Sequence, residues 1–92
     1  MDIEKIKICI FGKVQGVFFR AFIKEKADFL RIKGYSRNIS NGSVEVVAQG
    51  NNENLKKFIN FLKKGPKSAK IEKIKVSHET NKKIYNNFII KT

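Results

Sequence analysis

Residues 6–11 alternate Ile6, Ile8 and Ile10 with Lys7 and Cys9, the two-residue period of a strand with one core face. The period changes over residues 19–30. There Phe19, Phe22, Ile23, Ala27 and Leu30 share one face and Lys24, Glu25 and Asp28 the other, which predicts an amphipathic helix. Gly34 punctuates, and Asn41-Gly42 gives a hairpin signal, because both residues tolerate positive φ; strands are expected on either side. Over residues 44–49, Val44, Val46 and Ala48 oppose Glu45 and Gln49. Gly50-Asn51-Asn52 then supplies capping chemistry for a second helix over residues 53–64. Its stripe is Leu55, Phe58, Ile59 and Leu62; Lys63 and Lys64 suit its negative end, and Gly65-Pro66 stops it. A fourth strand sets Ile74 and Val76 against Lys73 and Lys75, and after a polar turn at 79–83 the tail over 85–90 can add a short fifth edge strand.

The predicted order is β-α-β-β-α-β with a possible terminal strand. It matches the split βαβ, ferredoxin-like α+β unit: an antiparallel sheet with two helices on one face. Ninety-two residues fit one domain spanning 1–92, with no linker, repeat or low-complexity tract. That topology hosts many chemistries, so function has to come from a site.

Composition narrows the classes. Cys9 is the single cysteine, which excludes an internal disulfide and a cysteine metal cluster; inside Ile8-Cys9-Ile10-Phe11 it is expected as a small buried hydrophobe. No apolar run approaches a membrane helix and the amino terminus lacks signal-peptide features, so a cytoplasmic, membrane-free protein is expected. The balance of 20 Lys plus Arg against 8 Asp plus Glu leaves a charge of +12, which attracts anions: nucleic acid, an acidic surface or a small phosphorylated molecule. Only Arg20, Arg31 and Arg37 carry the forked cation suited to gripping phosphate with defined geometry.

Between the first strand and first helix stands Gly12-Lys13-Val14-Gln15-Gly16-Val17-Phe18-Phe19-Arg20. Two glycines let the main chain curl with its N–H groups inward. The helix that follows presents its positive end, and Arg20 lies in its first turn. Together these suit a phosphate-sized oxyanion. On spacing alone the glycines serve equally as a tight turn and Arg20 as a surface residue. The loop lacks the Gly-Lys-Ser/Thr ending of a P-loop. A cysteine phosphatase is excluded as well, because Cys9 lies within the strand and the sixth position after it is Gln15.

The segment from Gly12 to Arg20 resembles the phosphate loop of the acylphosphatases, G-x-V-Q-G-V-x-F-R. Gly34-Tyr35-Ser36-Arg37-Asn38-Ile39-Ser40-Asn41-Gly42 is similar to that family's G-(W/Y)-V-x-N-x-x-(D/N)-G stretch, and Gly65-Pro66 with Ala69 follows its pattern. The resemblance implies metal-independent, cofactor-free hydrolysis of a small-molecule acyl phosphate to a carboxylate and inorganic phosphate, the latter also a competitive ligand. It also implies roles: Arg20 and the backbone N–H groups of Gln15, Gly16, Val17, Phe18 and Phe19 bind the phosphoryl group, and Asn38 holds the attacking water. Without it, Asn38 reads as a turn residue before the hairpin. An acyl phosphate carries a good leaving group, so positioning and charge stabilisation suffice. Accordingly the single His78, in phase with Ile74 and Val76, is expected to pack or to sit at an edge. Ser36, Ala21 and Arg31 depart from the family's usual Val, aromatic and Gly, which leaves the acyl-side pocket and substrate preference open.

Two rivals share the architecture. An RNA- or DNA-binding module needs base-stacking aromatics on its third strand; Lys33-Gly34-Tyr35 begins like such a motif, but Arg37 and Asn38 break it and it precedes the second strand. Nucleic acid is expected only as a nonspecific, salt-dependent ligand. The other rival is an interaction or regulatory module that keeps the anion cradle to handle carbamoyl phosphate within a larger assembly; a one-domain chain without zinc-finger cysteines argues for a stand-alone monomer instead.

Overall fold

The computed structural model describes residues 3–16 and 18–91. Strands β1 (Ile3–Lys13), β2 (Lys33–Asn38), β3 (Val44–Asn51), β4 (Lys70–His78) and β5 (Phe88–Ile90) form one sheet in the order β4-β1-β3-β2-β5. Helices α1 (Phe19–Phe29) and α2 (Asn52–Lys64) alternate with them along the chain. The first four strands pair antiparallel as expected. The fifth does not: β5 runs parallel to β2, with Gly34 opposite Phe88 and Ser36 opposite Ile90, so the sheet is mixed.

The strand period sorts the side chains into two faces. Ile6, Ile8 and Ile10 of β1 and Val44, Val46 and Ala48 of β3 join Phe19, Ile23 and Ala27 of α1 and Leu55, Phe58 and Leu62 of α2 in one buried core. Both helices therefore cover the same face. Phe88 brings β5 into that core, its ring edge-on to Phe58. The Asn51 side chain caps α2 by accepting from the Asn54 N–H at 2.8 Å.

The alternate positions form the face away from the helices, part of which the segment 79–87 crosses, and there Cys9 corrects its expectation. It is half-buried and stands between Glu45 and Lys75 on neighbouring strands, because the odd positions of β1 turn away from the helices. His78 is exposed on the edge strand β4, so the edge role holds and the packing role does not. The hairpin also differs from a two-residue turn. Five residues, 39–43, join β2 to β3, and of the Asn41-Gly42 pair only Gly42 takes a positive φ. Asn41 instead accepts a hydrogen bond from the Ser43 N–H at 2.9 Å, the Asx-turn alternative.

A register shift between Phe11 and Gly12 breaks the regular pairing of β1 with β4, which resumes with Gly12 opposite Ile71 and Lys13 opposite Lys70 beside the loop. Gly12 sits there at φ 132, and a Cβ would overlap the Lys70 carbonyl, so no other residue fits this bulge. The described residues contain no helix long and apolar enough to cross a membrane.

Candidate active site

Two buried anchors fix the loop between β1 and α1. Val14 and Phe19 are both in the core, so the backbone between them must curl outward and expose Gly16 and Phe18. Gly16 takes φ 71 and Phe18 takes φ 60, a left-handed conformation that a bulky residue rarely adopts. Phe18 is the N-cap of α1, and its carbonyl accepts the first helical bond from the Phe22 N–H at 3.1 Å. No side chain caps this end and no acidic residue stands in its first turn. The N–H groups of the first turn have no partner within the helix, and nothing in that turn offsets the positive end of the helix dipole.

Arg20 projects from that turn and is half-buried. Its Nη1 donates to the Lys91 carbonyl at 3.0 Å, and the Lys91 N–H in turn donates to the Ser36 carbonyl at 2.8 Å. The parallel strand β5 thus ties the guanidinium to β2. Asn38 is the exposed last residue of β2. By strand alternation it shares the helix-side face with Gly34 and Ser36, both buried.

A second tie joins loop to hairpin. The Gln15 amide donates twice, to the Ile39 carbonyl at 2.7 Å and to the Ser43 carbonyl at 2.8 Å. Ile39 directly follows Asn38, so one side chain sets the curl against the hairpin that carries this amide. Gly16, Phe18, Phe19 and Arg20 share the corner where α1 begins and line one cleft there; Gln15 and Asn38 do not line it, and Asn38 is linked to that corner only through its neighbours, by the Gln15 bonds to the hairpin and the Arg20–Lys91–Ser36 hydrogen bonds. Val17, also expected as a backbone donor, lies outside the described residues.

A cleft of about 320 Å³ opens at this corner, with Gly16, Phe18, Arg20, Ala21 and Ile90 in its wall and no carboxylate among the lining side chains. Sequence reasoning missed three contributors. The Gln15 side chain could have been suspected from a long polar residue between two glycines. The Lys91 carbonyl and Ile90 arrive through a parallel pairing that leaves no local signal.

The other two arginines have different duties. Arg31 is exposed and follows α1 at φ 56. Arg37 lies on the sheet face away from the helices, where its Nε donates to Glu45 at 3.1 Å; Lys7 approaches the same carboxylate at 3.7 Å and the Tyr35 hydroxyl donates to it at 3.2 Å. Burial alone would raise the Glu45 pKa, but the hydrogen bond and charge of Arg37, with the Lys7 charge, hold it below the ordinary value. Burial first, then the Glu45 charge and hydrogen bond, push Tyr35 up to about 12. The same hydrogen bond and charge raise Arg37. These shifted groups form an ion-pair network on the face away from the cleft, a structural role. The side of β3 away from the helices carries Glu45, Val47 and Gln49, with no aromatic of its own for a base to stack on, and Glu45 and Val47 are buried there. No three His, Cys, Asp or Glu side chains cluster among the described residues.

Fold and corner together define a class: a small α+β sandwich with an uncapped helix N-terminus and one guanidinium beside a cleft. The acylphosphatase family model matches residues 6–90. An acylphosphatase of Dehalococcoides mccartyi is 40% identical over 87 residues, covering 94% of this chain and 96% of that protein. One from Thermus thermophilus is 48% identical over 65 residues, 71% of this chain and 74% of that protein. Among solved structures, the acylphosphatase of Bacillus subtilis superposes with a TM-score of 0.92 at 30% identity, covering 99% of this chain and 100% of that one. Full-length HypF in a phosphate- and nucleotide-bound form matches at 0.86 and 29% identity, covering 99% of this chain but 12% of its own length. The chain belongs to the acylphosphatase family. None of the comparisons supports a nucleic-acid module.

Proposed function

We propose that this chain hydrolyses the carboxyl–phosphate bond of a small-molecule acyl phosphate. The observation that carries the reading is the uncapped, acid-free start of α1 facing the same cleft as Arg20. The backbone N–H groups of Gln15, Gly16, Val17, Phe18 and Phe19 hold the phosphoryl oxygens, and the Arg20 guanidinium adds a forked, permanently charged contact. Asn38 orients a water in line with the scissile bond. A neutral amide suits that task because it both donates and accepts without repelling an anion. The water oxygen bonds to phosphorus, the phosphorus–carboxylate oxygen bond breaks with its electron pair leaving on the carboxylate, and a phosphate oxygen takes the water's proton. Inorganic phosphate is product and competitive ligand. The same reading has the chain act as a single-domain cytoplasmic monomer that needs no metal or other cofactor.

Phosphate release from acetyl phosphate, with a phosphomonoester control and chelator present, tests this. Turnover of the acyl phosphate alone, unchanged by chelator, is expected. Equal rates on both substrates, or none on either, would overturn it.

A further inference from the structure

We infer that the wall beside the phosphate seat is an acyl subsite, and that the substrates are acyl phosphates with apolar acyl groups, selected by Phe18, Ala21 and Ile90. The inference rests on the proposed hydrolysis and adds the substrate class to it. Apart from Arg20, every side chain lining the cleft is apolar. With a phosphoryl group held by the turn and Arg20, the carboxyl-linked oxygen would lie beside the remaining wall, and the acyl group bonded to it would meet hydrocarbon. No carboxylate, amide or hydroxyl side chain is there to recognise a polar or charged acyl group.

Phe18 is 86% exposed and Ile90 37%, and both belong to this one wall. Phe18 is moreover held outward by its left-handed backbone, a conformation that costs stability and persists where the surroundings dictate it. Ala21, exposed on the next position after Arg20, is the smallest side chain available short of glycine and leaves the wall open between them. A volume of about 320 Å³ is at the small end of ligand sites, room for a phosphoryl group and a short chain.

A series of acetyl, butanoyl and hexanoyl phosphates isolates this contact, because the basicity of the leaving carboxylate hardly changes along it. With partial burial of each added methylene, kcat/KM should rise roughly two- to fourfold per methylene until the chain outgrows the wall. Ile90→Ser and Ala21→Gln should each at least halve that slope while inhibition by inorganic phosphate stays within about twofold of the unmodified protein. Ala21→Gln, at an exposed helical position, keeps the test meaningful should Ile90→Ser fail to fold. A flat or falling series in the unmodified protein, or a slope that both variants leave intact, would overturn the inference while acyl phosphate hydrolysis stands. No turnover of any member would instead bring down the proposed function and this inference with it.

Discussion

The two ends of α1 meet the same problem in opposite ways. Each is flanked by a non-glycine residue in the left-handed region, Phe18 at φ 60 before the helix and Arg31 at φ 56 after it. At the C-terminal end the strain closes the helix. The Ile32 N–H donates to the Ala27 carbonyl at 2.8 Å and the Arg31 N–H to the Asp28 carbonyl at 3.2 Å, the paired bonds of a Schellman motif, and Ile32 joins Ala27 in the core. At the N-terminal end the strain opens it. No side chain caps the first turn, no acid neutralises it, and its residues line a cleft. Both residues cost about 1–2 kcal/mol relative to a relaxed conformation. One end spends its strain on saturating the backbone and the other on leaving donors free, so a helix N-terminus reads as an anion site when its loose donors share a cavity with a cationic side chain.

Substitutions at the open end should damage chemistry with little effect on folding, and those at the closed end the reverse. The largest effect is expected for Arg20→Lys. A point ammonium cannot reproduce the fork, and kcat/KM should fall about 10²- to 10³-fold, comparable with losing a transition-state donor. Near-normal kinetics would erase the distinction between the ends. Next, Asn38→Ala should lower kcat by roughly 10²-fold while inorganic phosphate still inhibits at similar concentration, because water positioning is lost and the anion seat is kept. Loss of phosphate inhibition in that variant would move Asn38 from water to phosphate.

Gln15→Ala removes both bonds from the loop to the hairpin. It should reduce kcat around tenfold and destabilise by roughly 1–2 kcal/mol in urea titration, the cost of leaving part-buried carbonyls unpaired. A stability loss with unchanged kcat would show that the tie serves folding only. Glu45→Gln supplies a control on the far face and should cost roughly 1 kcal/mol at neutral pH without touching kinetics. The folded-state pKa of Glu45 lies below its unfolded value, so its contribution is present above the unfolded pKa and vanishes as pH falls through the folded one. The gap between the two proteins should therefore close on acidification below about pH 4. A gap that persists there would assign it to packing. Smallest of all, Arg31→Gly should stabilise by roughly 0.5–1 kcal/mol, raising Tm by several degrees with kinetics unchanged. A lower Tm would mean that the Arg31 side chain contributes more than its backbone costs.

Much of this was legible beforehand because it is local. The alternation of Ile6, Ile8 and Ile10 and the stripes of the two helices each write their period into consecutive residues, and the core follows those faces. Arg20, Gly16 and Phe18 stand in one short segment, so their shared corner follows from a strand, a turn and a helix. What escaped is non-local. The parallel docking of β5 on β2 is fixed by Phe88 reaching the core, and it carries the Lys91 carbonyl to Arg20 across 71 positions of sequence. The displaced Cys9 reflects a different limit: an unbroken apolar run does not say which alternate side chain meets the helices, and here Ile8 and Ile10 do. Arg31 in place of the usual glycine is resolved, since the position requires positive φ and Arg adopts it under strain. Ser36 in place of valine is buried with its hydroxyl unpartnered, and nothing in the structure uses it.

The proposed seat can be watched directly by following backbone amide and arginine side-chain N–H resonances while inorganic phosphate is added. Saturable shifts concentrated on Gln15, Gly16, Phe18, Phe19 and the Arg20 guanidinium, and weakened in Arg20→Lys, are the expected result. Shifts scattered over the lysine-rich surface, fading with added salt and indifferent to Arg20, would contradict the account.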